Sequence, residues 1–229
     1  MIHYVEPLPT DADPLRVGLT IIPEQFEERL RFLAERGYQS VHLYDLINAL
    51  ALGRELPPHP VIFSFDDGYA GVYTYALPLM QKFGYSGTVF LLTDFMDQGR
   101  PEYLSWAQAD ELRRAGWDLE PHSKDHPSLA GRERDFLIYQ ILGSMQTVQA
   151  HIGRQPRFFA YPSSEYDESV IQILKEIGFW GALTSEPGFL HRLEEAYTLR
   201  RVRVSGRESL AQFAARLELP EGPVSPPDP

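Results

Sequence analysis

Val61-Ile62-Phe63-Ser64-Phe65-Asp66-Asp67-Gly68 decides how this chain is read. The uncharged run Val61 to Phe65 reads as a strand buried on both faces, the form strands take in parallel sheets covered by helices. Two carboxylates follow where the run ends, and Gly68 permits a turn. Adjacent strand residues face opposite sides, so one aspartate would ordinarily point away from any shared cavity. At a frayed strand end both can reach it. A second short run, Trp117-Asp118-Leu119-Glu120, leads through Pro121 into His122-Ser123-Lys124-Asp125-His126. Pro121 and Pro127 bracket the histidines, and Ser123 and Asp125 are turn formers, so a loop is expected in spite of the i, i+4 spacing. Either motif alone equally fits a surface turn. Together, each at a strand end, they offer two carboxylates and two imidazoles. That is the donor set of a hydrolase that holds a zinc-like ion with one position open to water.

Outward from these motifs, strands and helices alternate. Pro23 to Glu35 places Phe26, Leu30 and Leu33 at helical spacing, with proline at the start and Gly37 past the end. Val41-His42-Leu43 reads as a strand and Asp45 to Leu52 as a short helix. Tyr75 to Phe83 is helical, and Thr88 to Leu92 is a buried strand. Ser105 to Gln108 has the form of a capping box opening a helix to Ala115. Arg132 to Ile152 carries a helical apolar stripe. Phe158 to Tyr161, Trp180 to Thr184 and Arg201 to Val204 read as strands, with helices at Asp167 to Ile177 and Glu208 to Leu217. The pattern predicts an α/β fold, a deformed (β/α)7-type barrel of parallel strands, whose active sites lie at the C-terminal strand ends. One domain is expected over residues 1–218, and the Pro-rich stretch 219–229 is expected to be a disordered tail.

Bulk properties narrow the function. The chain has 229 residues, 43% of them hydrophobic and 12% aromatic, enough for a sizeable core. A net charge of −11 argues against a nucleic-acid partner. No cysteine is present, which excludes disulfides and Cys-based zinc sites. No stretch approaches the length of a membrane span. MIHYV at the start already reads as a strand, so a secretion signal removed upstream and a cytoplasmic protein are both open readings.

SFDDG at 64–68, HSKDH at 122–126 and FAYPSSEYD at 159–167 resemble the polysaccharide deacetylases of carbohydrate esterase family 4, the NodB-homology group. The resemblance covers most of the chain. It implies a deformed barrel that removes acetyl groups from N-acetylglucosamine-containing polysaccharide or oligosaccharide. A divalent metal is implied, Zn2+ first, with Co2+, Ni2+ or Mn2+ as alternatives. By that resemblance Asp66 is the general base, and Asp67, His122 and His126 are the metal ligands; the residues alone do not say which aspartate does which. The backbone N–H of Ser163, after Tyr161-Pro162, takes the place of the family's oxyanion donor. The family's Arg-x-Pro-Tyr motif is replaced by Ala160-Tyr161-Pro162-Ser163, so the arginine that orients the base is absent from it. If an upstream signal was removed, the resemblance favours an extracellular or cell-surface location; otherwise a cytoplasmic one is expected.

The acid that protonates the leaving amine usually comes from a C-terminal Leu-x-x-His motif, and no histidine follows His191. In the biofilm poly-N-acetylglucosamine deacetylases, the branch this chain most resembles, it lies on the first strand. His3 stands in that place; the alternative is a frayed terminal histidine. Tyr69, Trp106, Tyr161 and Tyr166 are candidates to stack on sugar rings, and each equally fits packing. Trp180 reads as a buried strand residue. His42, His59, His151 and His191 are expected at the surface, as are Glu168 and Glu176. Two other functions stay open: hydrolysis of a different non-peptide C–N bond, in a small amide or imide, and a catalytically weakened glycan-binding protein.

Overall fold

The computed structural model describes residues 1–217. The 1–218 domain boundary and the Pro-rich stretch 219–229 fall outside the described residues. The chain runs β1 (Tyr4–Val5), α1 (Pro14–Leu19), β2 (Thr20–Ile21), α2 (Pro23–Glu35), β3 (Gln39–Ser40), α3 (Leu43–Leu52), β4 (Pro60–Val61) and β5 (Ser64–Phe65). A single π-helical turn, Val72–Ala76, then leads into α4 (Leu77–Lys82), β6 (Thr88–Leu91), α5 (Thr93–Asp97), α6 (Trp106–Arg114) and β7 (Asp118–Pro121). The remainder is α7 (Arg134–Ile152), β8 (Phe158–Ala160), α8 (Glu168–Ile177), β9 (Gly181–Pro187), β10 (Leu199–Arg201) and α9 (Leu210–Ala215). Among the described residues no helix is long and apolar enough to cross a membrane.

Local chemistry explains these elements. In α2, Pro23 occupies the first turn, where its missing N–H costs nothing, and Phe26, Leu30 and Leu33 are buried. In α8, the Asp167 carboxylate accepts the N–H groups of Ser169 and Val170 at 2.9 and 3.1 Å, Val170, Ile173 and Leu174 turn inward, and Gly178 closes the helix with φ 96°. Truncating one of these, as in Leu174→Ala, costs about 2–5 kcal/mol. Several sequence expectations change, among them the last strand, which is Leu199–Arg201 rather than Arg201 to Val204. The run Val61 to Phe65 divides, because β4 pairs with β3 while β5 pairs with β6. Val41-His42-Leu43 is not a strand. The His42 N–H donates to the Asp45 carboxylate at 2.8 Å, which caps a helix starting at Leu43.

Among the described residues every pairing between these strands is parallel. Two three-stranded sheets, β5-β6-β7 and β8-β9-β10, form most of the barrel wall, with the smaller pairs β1-β2 and β3-β4 beside them. Residues 1–2 enter between β5 and β10. Ile2 N–H donates to Ser64 O and Ile2 O accepts from Asp66 N–H, both at 2.9 Å, and Val204 N–H donates to Met1 O at 3.0 Å. Six strands and this N-terminal segment make the expected seven staves. The β7–β8 seam has no backbone ladder and is bridged by side chains. Glu120 Oε2 accepts the N–H groups of Arg157 and Phe158, each at 2.8 Å, and the His122 ring bonds to Ala160 O at 2.7 Å. The barrel wall is filled by fully buried Phe65, Phe90, Phe158 and Phe159.

Candidate metal centre

The two sequence motifs meet at the C-terminal ends of β5 and β7. Asp67 has φ 69° and Gly68 φ 71°. The left-handed turn at Asp67 cancels the alternation of the strand, which is how neighbouring aspartates are both buried at one site. His122, at the end of β7, is 2% exposed. Its Nδ1 faces the Ala160 carbonyl, which can only accept, so Nδ1 carries the proton and Nε2 is left with its lone pair. Nε2 of His122 lies 3.4 Å from Asp67 Oδ1, and Nε2 of His126 lies 3.5 Å from the same oxygen.

These three residues offer one ligand atom each, all within 4.8 Å of one another. Asp67 Oδ1 is buried without a hydrogen-bond partner, and both atoms facing it are imidazole nitrogens, that of His122 with its lone pair free. An orphaned carboxylate oxygen beside two such nitrogens fits a divalent cation of borderline softness, with carboxylate and imidazole as its ligands.

Asp66 is buried and paired with Arg201 at the end of β10. Arg201 Nη1 donates to Oδ1 at 2.6 Å and Nη2 to Oδ2 at 2.8 Å. Burial alone would raise this carboxyl. The Arg201 guanidinium and the His122 and His3 imidazoles overcome that and hold it well below the usual carboxylate range. The absence of a base-orienting arginine, inferred from the third motif, is therefore corrected. The arginine arrives from another strand, 135 residues downstream, and Thr184 O fixes it through Nε at 2.7 Å. The doublet Arg200-Arg201 in a late strand was the available signal; spacing could not show its partner.

His3 lies beside Asp66, because Ile2 pairs with Phe65 on the adjacent strand. Its Nδ1 is buried and unpartnered among the described residues. Burial lowers its pKa, opposed by the Asp66 and Asp67 carboxylates. Ser163 follows β8 in an exposed turn with φ 53°.

The aromatic candidates separate. Tyr69 is half-buried, stacked on Tyr4 at 3.7 Å and on Tyr103 at 5.2 Å, with the Arg16 guanidinium 3.1 Å from the Tyr4 ring centre. Tyr161 is a core residue, which corrects its reading as a sugar contact. It is 1% exposed, its hydroxyl donates to Tyr197 O at 2.9 Å, and the half-buried Tyr166 ring covers it at 4.2 Å. Trp106 stacks on His151 at 3.9 Å. Trp180 is not buried; it is 43% exposed and meets Tyr44 edge-on. His42 is engaged by Asp118, not free at the surface. A cavity of about 450 Å³ lined by Phe26, Leu30, Phe63, Leu199 and Phe213 lies behind Arg201, and its lining includes none of Asp67, His122 and His126.

Comparison with known proteins identifies the family and the fold. The family model described as polysaccharide deacetylase matches residues 53–182, more than half of the chain. YxkH of Bacillus subtilis, which bears the same family name, is 28% identical over 88% of this chain and 71% of its own length. The poly-β-1,6-N-acetyl-D-glucosamine N-deacetylase of Escherichia coli is 23% identical over 94% of this chain, although the match spans only 37% of that protein. Among solved structures, the deacetylase PplD of Streptococcus pyogenes in complex with acetate superposes with a TM-score of 0.88 at 20% identity, over 95% of this chain and 96% of its own. IcaB from Ammonifex degensii does so with a TM-score of 0.80 at 26% identity, over 94% of each chain. The fold is thus of the NodB type, and this chain belongs to the polysaccharide deacetylase family, whose enzymes hydrolyse carbon–nitrogen bonds other than peptide bonds.

Proposed function

We propose that this chain removes acetyl groups from N-acetylglucosamine units of a polysaccharide or oligosaccharide. The observation that carries the reading is the joint placement of Asp67, His122 and His126 with the Asp66–Arg201 pair at one end of the barrel. Asp67, His122 and His126 would hold the divalent ion. When bound, it supplies Lewis acidity, polarising an acetamide carbonyl and making water more acidic.

The remaining work falls to the chain. Asp66, kept ionised and oriented by the fork of Arg201, takes a proton from the attacking water. The Ser163 N–H donates to the oxygen that gains charge as water adds to the carbonyl carbon. His3, on the strand beside Asp66, gives a proton to the nitrogen as the C–N bond breaks, leaving acetate and a free amine. Tyr69, with Tyr4 and Tyr103, offers an aromatic wall for a sugar ring.

The reading of a weakened glycan-binding protein rests on a missing arginine and a missing tyrosine in the third motif, and Arg201 removes the first of these supports. Acetate release from a panel of N-acetylated glycans and small amides tests the rest. Release from the glycans, lost on chelation and restored by zinc, is expected. No acetate from any glycan at full metal occupancy would overturn it.

A further inference from the structure

Both histidines of the metal centre lie on one loop, and the middle of that loop is held from outside by α7. Gln140 sits on the face of α7 that Leu137, Ile141 and Ser144 bury, and it is 1% exposed. A buried amide is unfavourable unless its polar atoms are partnered, and an aliphatic side chain would suit this helix face better. Gln140 directs both ends at the loop. Its Oε1 accepts from the Lys124 N–H at 3.0 Å, and its Nε2 donates to the Asp125 carboxylate at 2.7 Å.

A second observation points the same way. Gly143, one turn along the same helix, is a weak helix former in a helix interior. A Cβ there would stand 3.3 Å from Lys124 Cδ, so the glycine leaves room for that side chain to lie against α7. Lys124 is fixed further by Asp94, whose carboxylate meets Nζ at 2.6 Å and whose N–H donates to Lys124 O at 2.9 Å. The loop needs such support. Ser123 and His126 hold φ of 73° and 65°, a region that side-chain-bearing residues leave unless their surroundings hold them there.

We propose that Gln140 is a positioning residue for metal affinity. It holds residues 124 and 125 in the conformation that carries His126 to Asp67 and His122, and it touches neither the ion nor the substrate. The proposal rests on the reading of those three residues as the ligand set.

Zinc affinity of the metal-free protein, measured by competition with a chromogenic chelator, tests it beside the thermal midpoint and acetate release. Gln140→Leu fills the same space and removes both hydrogen bonds. It is expected to weaken zinc binding by about 10- to 100-fold, with the turnover rate recovering at saturating zinc. Gly143→Ala is expected to weaken zinc binding in the same direction by less. A merely structural role predicts a lowered midpoint with zinc affinity within twofold of wild type, and that result would overturn the proposal. If Gln140→Leu fails to fold, Asp125→Ala carries the test, because Asp125 is exposed and its loss removes the Nε2 hydrogen bond alone. Weaker zinc binding there supports the proposal, and unchanged binding defeats it. Wild-type protein that binds no zinc at one equivalent would instead defeat the ligand set, so the two failures are distinguishable.

Discussion

The barrel closes at two seams, and they are built differently. Between β5 and β10 the N-terminal segment supplies backbone hydrogen bonds, and the Asp66–Arg201 fork is laid across them. Between β7 and β8 no backbone ladder exists; Glu120 and His122 take its place. At the first seam the functional pair is added to a wall that already closes. At the second, a metal ligand is itself part of the wall. The same ring nitrogen that fixes the His122 tautomer also fastens β7 to β8. Catalytic and structural roles are therefore separable at one seam and shared at the other.

The largest expected effect tests that sharing. His122→Ala and His126→Ala each remove one ligand, and loss of a charge-stabilising cation worth several kcal/mol lowers acetate release by about a thousandfold or more. Only His122→Ala also strips the Ala160 carbonyl of its partner, a buried loss of about 1–3 kcal/mol. Denaturant midpoints of the metal-free variants should fall for His122→Ala and stay near wild type for His126→Ala. Equal midpoints would mean that the seam does not depend on the histidine.

The other seam comes next. Asp66→Asn should cut turnover by about 10²- to 10⁴-fold while zinc binding survives. Arg201→Met leaves a buried carboxylate unpaired, costing about 3–5 kcal/mol of stability. Combining the two neutral substitutions should return much of that stability and none of the activity. A double variant as unstable as Arg201→Met alone would show that the fork also holds the wall. Glu120 is a gentler case. Glu120→Gln keeps an oxygen for the Arg157 and Phe158 N–H groups and should stay within about 1 kcal/mol of wild type, whereas Glu120→Leu orphans both donors at about 1–3 kcal/mol each. Similar unfolding curves for the two would deny that Glu120 replaces the ladder.

The uneven legibility of the site follows from the same contrast. Asp66, Asp67, His122 and His126 could be read because each pair is contiguous or nearly so, and the end of the first strand announces itself through an uncharged run that stops. The turn that brings both aspartates to one site needs Asp67 at φ 69°, a conformation an aspartate tolerates but does not announce. Arg201 was illegible for a different reason: its partner is reached only by closing the barrel, and neither residue carries a local mark of the other. Tyr161 fits a sugar contact and core packing equally in the sequence, and only the Tyr166 ring over it and its hydrogen bond to Tyr197 O decide for packing. The division of Val61 to Phe65 into two strands likewise depends on β3 and β6 as neighbours, which a run of apolar residues does not specify.

The smallest effect concerns the start of β7, where Asp118, on the same face as Glu120 and His122, continues the side-chain bracing. His42 Nδ1 lies 2.7 Å from Asp118 Oδ2, and Arg154 approaches the other oxygen at 3.0 Å. The hydrogen bond to Asp118 raises the His42 pKa against the opposing effect of burial. A group whose folded pKa is raised binds its proton more tightly in the native state. The added stability is therefore fully present below the unfolded value of about 6.5 and fades as pH rises through the folded value. Above that range the neutral ring still donates to Asp118, so the contact persists and only the charge is lost. The ring is partly exposed and Arg154 already serves the carboxylate, both of which keep the effect small. His42→Gln should therefore lower the denaturant midpoint more at about pH 5.5 than at about pH 9. A difference that is flat with pH, or larger at the alkaline end, would show that the brace at Asp118 is carried by Arg154 alone.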